Sequence, residues 1–120
     1  MLMADYKTQG TITVSTKKRV AELSDLMTRI FPKGYKRQRV AEKILRIIRR
    51  DGELKAEKWK EYLEELGVSS KEFYYVIRRL KALGLIRKEG GHHTGSWRLS
   101  RQFSTALRDM ADFWERWAFG

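Results

Sequence analysis

The order of elements between residues 51 and 100 limits the possible folds of this chain more than any other feature of its sequence. The segment reads as a short helix, a tight break, a second amphipathic helix, and two strands joined by a glycine-rich tip. Each helix has apolar residues at helical spacing, so one stripe of each helix is expected to face a core. The sequence therefore predicts a helical body with one small antiparallel hairpin.

The second helix of this segment has the clearest boundaries. Ser69 and Glu72 form a capping box, in which the Ser69 hydroxyl accepts from the Glu72 amide and the Glu72 carboxylate accepts from the Ser69 amide. The helix is therefore expected to begin near Ser70, and Gly84 is expected to end it as a left-handed cap. Its apolar stripe consists of Phe73, Val76, Ile77, Leu80 and Leu83.

The face opposite this stripe is basic and aromatic. It consists of Lys71, Tyr75, Arg78 and Ala82, with Tyr74, Arg79 and Lys81 on its flanks. Because no carboxylate lies at its centre, we expect this face to meet solvent or a partner rather than the core of the protein.

Recognisable elements lie on both sides of this helix. Upstream, residues 56–66 repeat a helical pattern and residues 67–69 form the break between the two helices. Downstream, residues 85–89 and 96–100 alternate as strands around a tip at residues 90–95.

Together with an apolar helix upstream, this order resembles the winged-helix DNA-binding family of archaeal and bacterial transcription regulators. The resemblance covers residues of about 38 to 100: VAEKILRII at 40–48, DGE at 51–53, the helix pair, LKALGLI at 80–86 and the hairpin. It implies a mainly α fold with a small antiparallel β-hairpin, in which the second helix enters the major groove and the hairpin lies on the DNA backbone. The chain then divides into an N-terminal arm and helix at 1–33, the winged-helix domain at 34–100 and a C-terminal amphipathic helix at 101–120.

The positive charge of the chain is concentrated in the segments that would form this domain. The formal net charge is +11, and counting by segment gives +5 at residues 34–52, +5 at 69–100 and −2 at 53–68. The first 33 residues carry +3, and the last 20 are neutral. A surplus of this size attracts polyanions through its long-range field and through counterion release, and duplex DNA is the expected partner.

The first helix of the domain has a basic stripe beside its apolar stripe of Val40, Ile44 and Ile47. The basic stripe consists of Lys36, Arg39, Lys43, Arg46 and Arg50, at spacings of 3 or 4. A solvated helix face is the ordinary interpretation of such a pattern. Like charges at these spacings repel each other, however, and this favours an anionic partner.

A DNA complex of this kind assigns contacts to individual side chains. Base contacts are expected from Lys71, Tyr74, Tyr75 and Arg78. Backbone contacts are expected from Arg79, Lys81, Arg87, Lys88, His92, His93, Arg98, Lys36, Arg39 and Lys43. Arg78 is the best candidate for a guanine contact, because its guanidinium fork matches two acceptors on that base edge. Packing against the wing or the preceding helix is the alternative for Tyr74, and a metal site is the alternative for the histidines.

Two more helices are predicted outside this domain. Residues 11–14 alternate as a short strand or an extended arm, and Ser15 or Thr16 then caps a helix that ends near Phe31, before a break at 32–34. The apolar positions of this helix are Val20, Leu23, Met27 and Ile30, and those of the final helix are Phe103, Leu107, Met110, Trp114 and Trp117. Both series suit a coiled-coil seam, which packs either within one chain or in a homodimer. The aromatic residues at the end of the chain favour the homodimer.

Composition excludes several classes of site. The chain has no cysteine, so disulfides, thiolate catalysis and cysteine-bound metals are excluded. Since no phosphate-cradling loop, metal-ligand spacing or membrane-length apolar run occurs, we expect a non-enzymatic intracellular protein without cofactors or metals. RNA binding and a role as a protein-interaction module in transcription or replication remain open beside DNA binding.

Overall fold

The computed structural model of the chain describes residues 10–91 and 93–120. These residues form five α-helices, one short 3₁₀ segment and three strands. In chain order the elements are α1 (Leu23–Ile30), α2 (Tyr35–Asp51), β1 (Leu54–Lys55), the 3₁₀ segment (Ala56–Lys58), α3 (Trp59–Leu66), α4 (Ser70–Ala82), β2 (Ile86–Glu89), β3 (Ser96–Leu99) and α5 (Gln102–Phe119). The predicted mainly helical fold with a small antiparallel β-element is confirmed.

The sheet has three strands, in the order β1-β3-β2, and both pairings are antiparallel. The hairpin of β2 and β3 agrees with the sequence prediction to within one residue at each strand end, and Ile86 pairs with Leu99. Strand β1 was not predicted. Its Leu54 is fully buried and pairs with Trp97. A strand of two residues is too short to show an alternating pattern, so the sequence indicated only a turn there.

The core lies between α2, α4 and the sheet, and α1 packs on α2. The predicted apolar stripe of α2 is buried, as are four of the five apolar positions predicted for α4. Leu83, the fifth, lies just beyond the end of α4 and is half-buried. Each fully buried side chain of this size stabilises the fold by roughly 1.5–3 kcal/mol, so this shared core holds α4 in place.

The predicted boundaries of α4 are correct, but half of its capping box is not formed. The Ser69 hydroxyl accepts from the Glu72 amide at 3.2 Å. The Glu72 carboxylate does not return to Ser69 and instead accepts from Nε of Arg37 at 2.8 Å. At the other end, Gly84 has a φ of +82°, as expected for a left-handed residue that follows a helix.

The predicted start of the first helix is wrong. Helix α1 begins at Leu23, because the Asp25 carboxylate caps it by accepting from the amides of Ala21 at 3.1 Å and Glu22 at 3.0 Å. The segment upstream is the extended arm rather than the strand. The Arg29 guanidinium holds this arm away from a helical path by donating to the carbonyl oxygens of Thr13 and Lys18. Val20 consequently lies outside the helix and is half exposed.

Helix α5 follows β3 closely and has the predicted extent. The Phe103 amide donates to the Gly84 carbonyl oxygen at 3.0 Å, which attaches the first turn of α5 to the end of α4. Phe103 and Leu107 are half-buried, and the remaining large apolar residues of the helix are exposed. The described part of the chain therefore anchors α5 only at its base.

Candidate nucleic-acid interface

The outward face of α4 carries cations that have no partner within the described part of the chain. Lys71, Arg78 and Lys81 are exposed, and their side chains form no hydrogen bond or ion pair with residues 10–91 or 93–120. Ala82, on the same face, is also exposed and leaves space beside Arg78. The apolar stripe on the other side of the helix holds this face outward.

Tyr75 borders this face and is fixed by a charged network. The Arg37 guanidinium lies 3.9 Å from the centre of the Tyr75 ring, and its Nε donates to Glu72 at 2.8 Å. The hydrogen bond to Glu72 is the main reason why the pKa of Arg37 is raised above its usual value. Tyr75 is half-buried as a result, with its hydroxyl 3.4 Å from Nη1 of Arg79.

Arg37 is a functional candidate that the sequence analysis missed. It was not included in the basic stripe of α2, because it lies one helical turn before Ala41 on the buried side of the helix. This placement on the apolar face was the available signal. A cation on a buried face needs an acceptor from a neighbouring element, and the acceptor is Glu72 of α4.

Arg79 has internal partners. Its Nε donates to the Ile30 carbonyl oxygen at 2.9 Å, and its Nη2 donates to the Thr11 hydroxyl at 2.8 Å. Its guanidinium also lies 5.4 Å from the centre of the Phe31 ring. Arg79 was predicted to contact the DNA backbone. In the structure, it links α4 to the end of α1 and to the arm.

Tyr74 lies in an aromatic cluster rather than at the centre of the outward face. Its ring centre is 6.0 Å from that of Trp59, 5.2 Å from that of Phe73 and 6.4 Å from that of Trp97. These partners come from α3, α4 and β3, so the cluster joins the helix pair to the hairpin. This packing is the alternative that the sequence left open for Tyr74.

The arginines of the hairpin are paired with carboxylates. Arg87 donates to Glu89, and Arg98 donates to Glu89 at 3.0 Å and to Glu53 at 3.4 Å. Lys88 lies 4.9 Å above the ring of Trp97. The hairpin therefore presents less uncompensated charge than its sequence suggests.

The tip of the hairpin carries the two predicted histidines. His93 is exposed, and His92 lies outside the described residues.

The basic stripe of α2 is exposed along its length, but most of it does not join the face of α4. Arg37 marks the side of α2 that contacts α4, and Arg39 and Lys43 lie about 160° and 120° around the helix from it. Lys36 instead lines a cleft of about 470 Å³ together with Tyr75 and Arg79. Of the three α2 residues predicted to contact DNA, the structure brings Lys36 next to α4.

Farther along the stripe, each exposed arginine has a carboxylate beside it. Arg46 pairs with Glu42 at 3.1 Å and Arg50 pairs with Asp51 at 2.8 Å. The hydrogen bond from Arg50 lowers the pKa of the Asp51 carboxyl. This part of α2 is therefore partly neutralised and behaves as a solvated helix face.

The described residues contain neither a metal-binding cluster nor a membrane-spanning helix. No group of three or more His, Asp or Glu side chains within residues 10–91 and 93–120 is arranged to hold a metal ion. None of the helices formed by these residues is both long enough and apolar enough to cross a membrane.

The architecture defines a small basic protein that is mainly helical and has a three-stranded antiparallel sheet. A family model described as an archaeal family matches residues 21–119, a range that includes all five described helices, and the chain belongs to this archaeal family. No curated protein and no solved structure matches the chain.

Proposed function

We propose that the protein is a winged-helix transcription regulator that binds duplex DNA as a homodimer. The observation that carries this proposal is the outward face of α4, where Lys71, Arg78 and Lys81 are exposed without a partner in the described chain. The order of elements from α2 to β3 and the antiparallel sheet β1-β3-β2 support a helix-turn-helix followed by a wing.

The dimensions of this face suit the DNA major groove. An α-helix with its side chains is about 10–12 Å wide, and the groove is about 12 Å wide. Lys71 and Arg78 are seven residues apart, so they project from the same side of α4 about 10 Å apart along its axis. Arg78 would contact a guanine edge, while Lys71 would contact a base or a nearby phosphate.

The contacts inside the molecule reduce the number of side chains that are available to the DNA backbone. Lys36 lies beside α4 in the cleft that Tyr75 lines, Lys81 lies on α4 itself, and both would bind phosphate without breaking an arginine–carboxylate pair. Arg87 and Arg98 would have to exchange their carboxylates for phosphate, and Arg79 would have to leave Ile30 and Thr11. We therefore assign the phosphate contacts beside α4 to Lys36 and Lys81, and Lys88 would bind phosphate from the hairpin.

The test begins with selection of bound duplexes from a random DNA pool, followed by titrations of the best duplex and a scrambled one. Arg78→Ala should weaken binding to the selected duplex by about 1–3 kcal/mol and leave the scrambled duplex nearly unchanged. Lys88→Ala should weaken both duplexes alike and reduce the salt dependence. Arg50→Ala is the matched control, because it removes the same charge from an exposed arginine at the end of α2 that is already paired with Asp51.

Two results would contradict the proposal. One is binding to duplex DNA that does not weaken as salt is added, since phosphate contacts always release counterions. The other is a preference for single-stranded RNA over duplex DNA in direct competition, which would indicate base stacking on the tyrosines instead.

A further inference from the structure

Helix α5 has an apolar face that the described chain does not cover. The exposed fractions are 59% for Met110, 60% for Phe113, 54% for Trp114 and 71% for Trp117. Trp114 and Trp117 stack on each other, with ring centres 5.8 Å apart. A contiguous apolar patch on a small protein marks an interaction surface.

The charged residues of α5 lie on the other side of the helix. At about 100° per residue they fall within an arc of about 120° opposite the apolar stripe. They are Arg108, Asp109, Asp112, Glu115 and Arg116. One edge of the apolar face is lined by the small residues Ser104, Ala111 and Ala118, which recur every seven residues. Another helix can approach closely along such an edge, because the distance between helix axes depends on side-chain size.

The apolar face of α5 continues into a groove at the base of the helix. The groove has a volume of about 630 Å³. Its apolar lining comes from α1, α2, the turn before β2, β3 and the first turn of α5, and consists of Leu23, Leu45, Leu85, Leu99 and Phe103. The exposed aromatic end of α5 and this groove therefore lie at opposite ends of one apolar surface.

We infer that the occupant of this surface is α5 of a second copy of the chain, packed antiparallel in a symmetric homodimer. With the two-fold axis near Ala111, the alignment places Met110 beside the partner's Trp114 and Leu107 beside the partner's Trp117. A large side chain of one copy thereby meets a smaller one of the other. Ala111 meets its own copy at the axis, where a small residue allows the helices to approach.

The charged residues of α5 take no part in this seam. Arg108, Asp109, Glu115 and Arg116 lie about 120–140° around the helix from the centre of the apolar stripe, so they remain in solvent when a second helix covers that stripe. The seam therefore contains apolar and small side chains, and the orientation of the two helices follows from the apolar surface that each of them covers.

The same orientation fills the groove. The end of one α5 lies beside the beginning of the other, so Trp117 of one copy reaches the groove next to the other copy's Phe103. A buried aromatic side chain covers about 150–250 Å². The exposed aromatic residues of two copies therefore bury on the order of 1,000 Å², which meets the lower limit for a specific interface.

This inference shares the homodimer with the proposed function but does not need DNA. It is tested by sedimentation equilibrium of the full chain without nucleic acid. Trp114→Glu should raise the dimer dissociation constant roughly tenfold or more, because it places a charge in the centre of the seam. Thr105→Glu adds the same charge on the outer face and should leave the constant unchanged.

The antiparallel orientation of the two helices is tested by disulfide crosslinking. Because the chain has no cysteine of its own, a disulfide can form only between the introduced residues. After chain exchange and oxidation, a mixture of Ser104→Cys and Ala118→Cys chains should form a covalent dimer, while neither variant alone should do so. Crosslinking of each variant alone would indicate a parallel pair and overturn the inference.

A monomer at every concentration would also overturn it, as would a dimer that Trp114→Glu leaves intact. If the wild-type chain is a dimer but binds no duplex, the proposed function fails and the antiparallel dimer stands. Far-UV circular dichroism of each variant is the folding control, and the helix content of the chain should equal that of the wild type.

Discussion

Helices α1 and α5 have similar apolar spacing but opposite surroundings. In α1, Met27 and Ile30 are fully buried against the chain's own core. In α5, Trp114 and Trp117 occupy corresponding positions of the seam and are more than half exposed. An amphipathic pattern therefore predicts that a face will be covered, but it does not identify the surface that covers it.

The connections to the rest of the chain explain the difference. Helix α1 ends at Ile30 and is followed, after a break of four residues that contains Pro32, by α2, on which it folds back. Helix α5 begins three residues after Leu99, and its first turn is attached to Gly84. This junction leaves its seam beyond Leu107 without a neighbour in the described chain. Connection geometry, rather than hydrophobicity, separates the two helices.

The largest expected difference between the helices concerns unfolding. Ile30→Ala should lower the free energy of unfolding by about 2–5 kcal/mol at any protein concentration, because it leaves a cavity in the core. Trp117→Ala should lower the apparent stability only at concentrations where the dimer forms. Denaturant titrations at two protein concentrations distinguish these effects. A concentration-independent loss for Trp117→Ala would show that α5 belongs to the monomer core.

The next effect concerns the anchor of α1. Arg79→Ala should destabilise the protein by about 1–3 kcal/mol, because the Ile30 carbonyl oxygen and the Thr11 hydroxyl lose their charged donor. The neighbouring Arg78→Ala removes an exposed side chain that has no partner among the described residues, and it should change stability by less than about 0.5 kcal/mol. Thermal unfolding measures both. Equal losses would mean that Arg79 does not hold α1 against α4.

The smallest effect concerns the start of α1. Asp25→Ala should cost about 1 kcal/mol, because the amides of Ala21 and Glu22 lose their acceptor. Asp25→Asn should recover part of this loss, since an amide oxygen still accepts a hydrogen bond. Urea titration provides the measurement. No loss in the alanine variant would show that the Arg29 contacts alone set the start of the helix.

Residues with local signals were predicted well. The Ser69 cap, the Gly84 turn and the stripe from Phe73 to Leu80 are correct, because each depends on neighbours within a few residues. Predictions failed where a local signal competed with a distant partner. The helix predicted to start at Ser15 or Thr16 instead starts at Leu23, where the Asp25 carboxylate caps it and Arg29 holds the arm extended. The Glu72 carboxylate, predicted to accept from the Ser69 amide, accepts from Arg37 instead.

For the candidate interface, the sequence identified the basic face of α4 but could not rank its cations. Arg78 and Arg79 are adjacent in the chain. Arg78 is exposed and has no partner in the part of the chain that the structure describes, whereas Arg79 donates to Ile30 and Thr11. Tyr74 and Tyr75 are also adjacent, but Tyr74 packs in an aromatic cluster and Tyr75 contacts the charged network of Arg37 and Glu72. Successive side chains of a helix point in directions about 100° apart, so two adjacent residues contact different neighbouring elements.

The sequence by itself determined which residues form α4 and the hairpin, because capping, helical period and left-handed glycines act over one or two turns. Only the tertiary structure decided which side chains remain available to a partner. The bond from Arg37 to Glu72 spans 35 residues, and that from Arg79 to Ile30 spans 49. Contacts at such separations depend on how the helices pack, and the packing also leaves the end of α5 exposed.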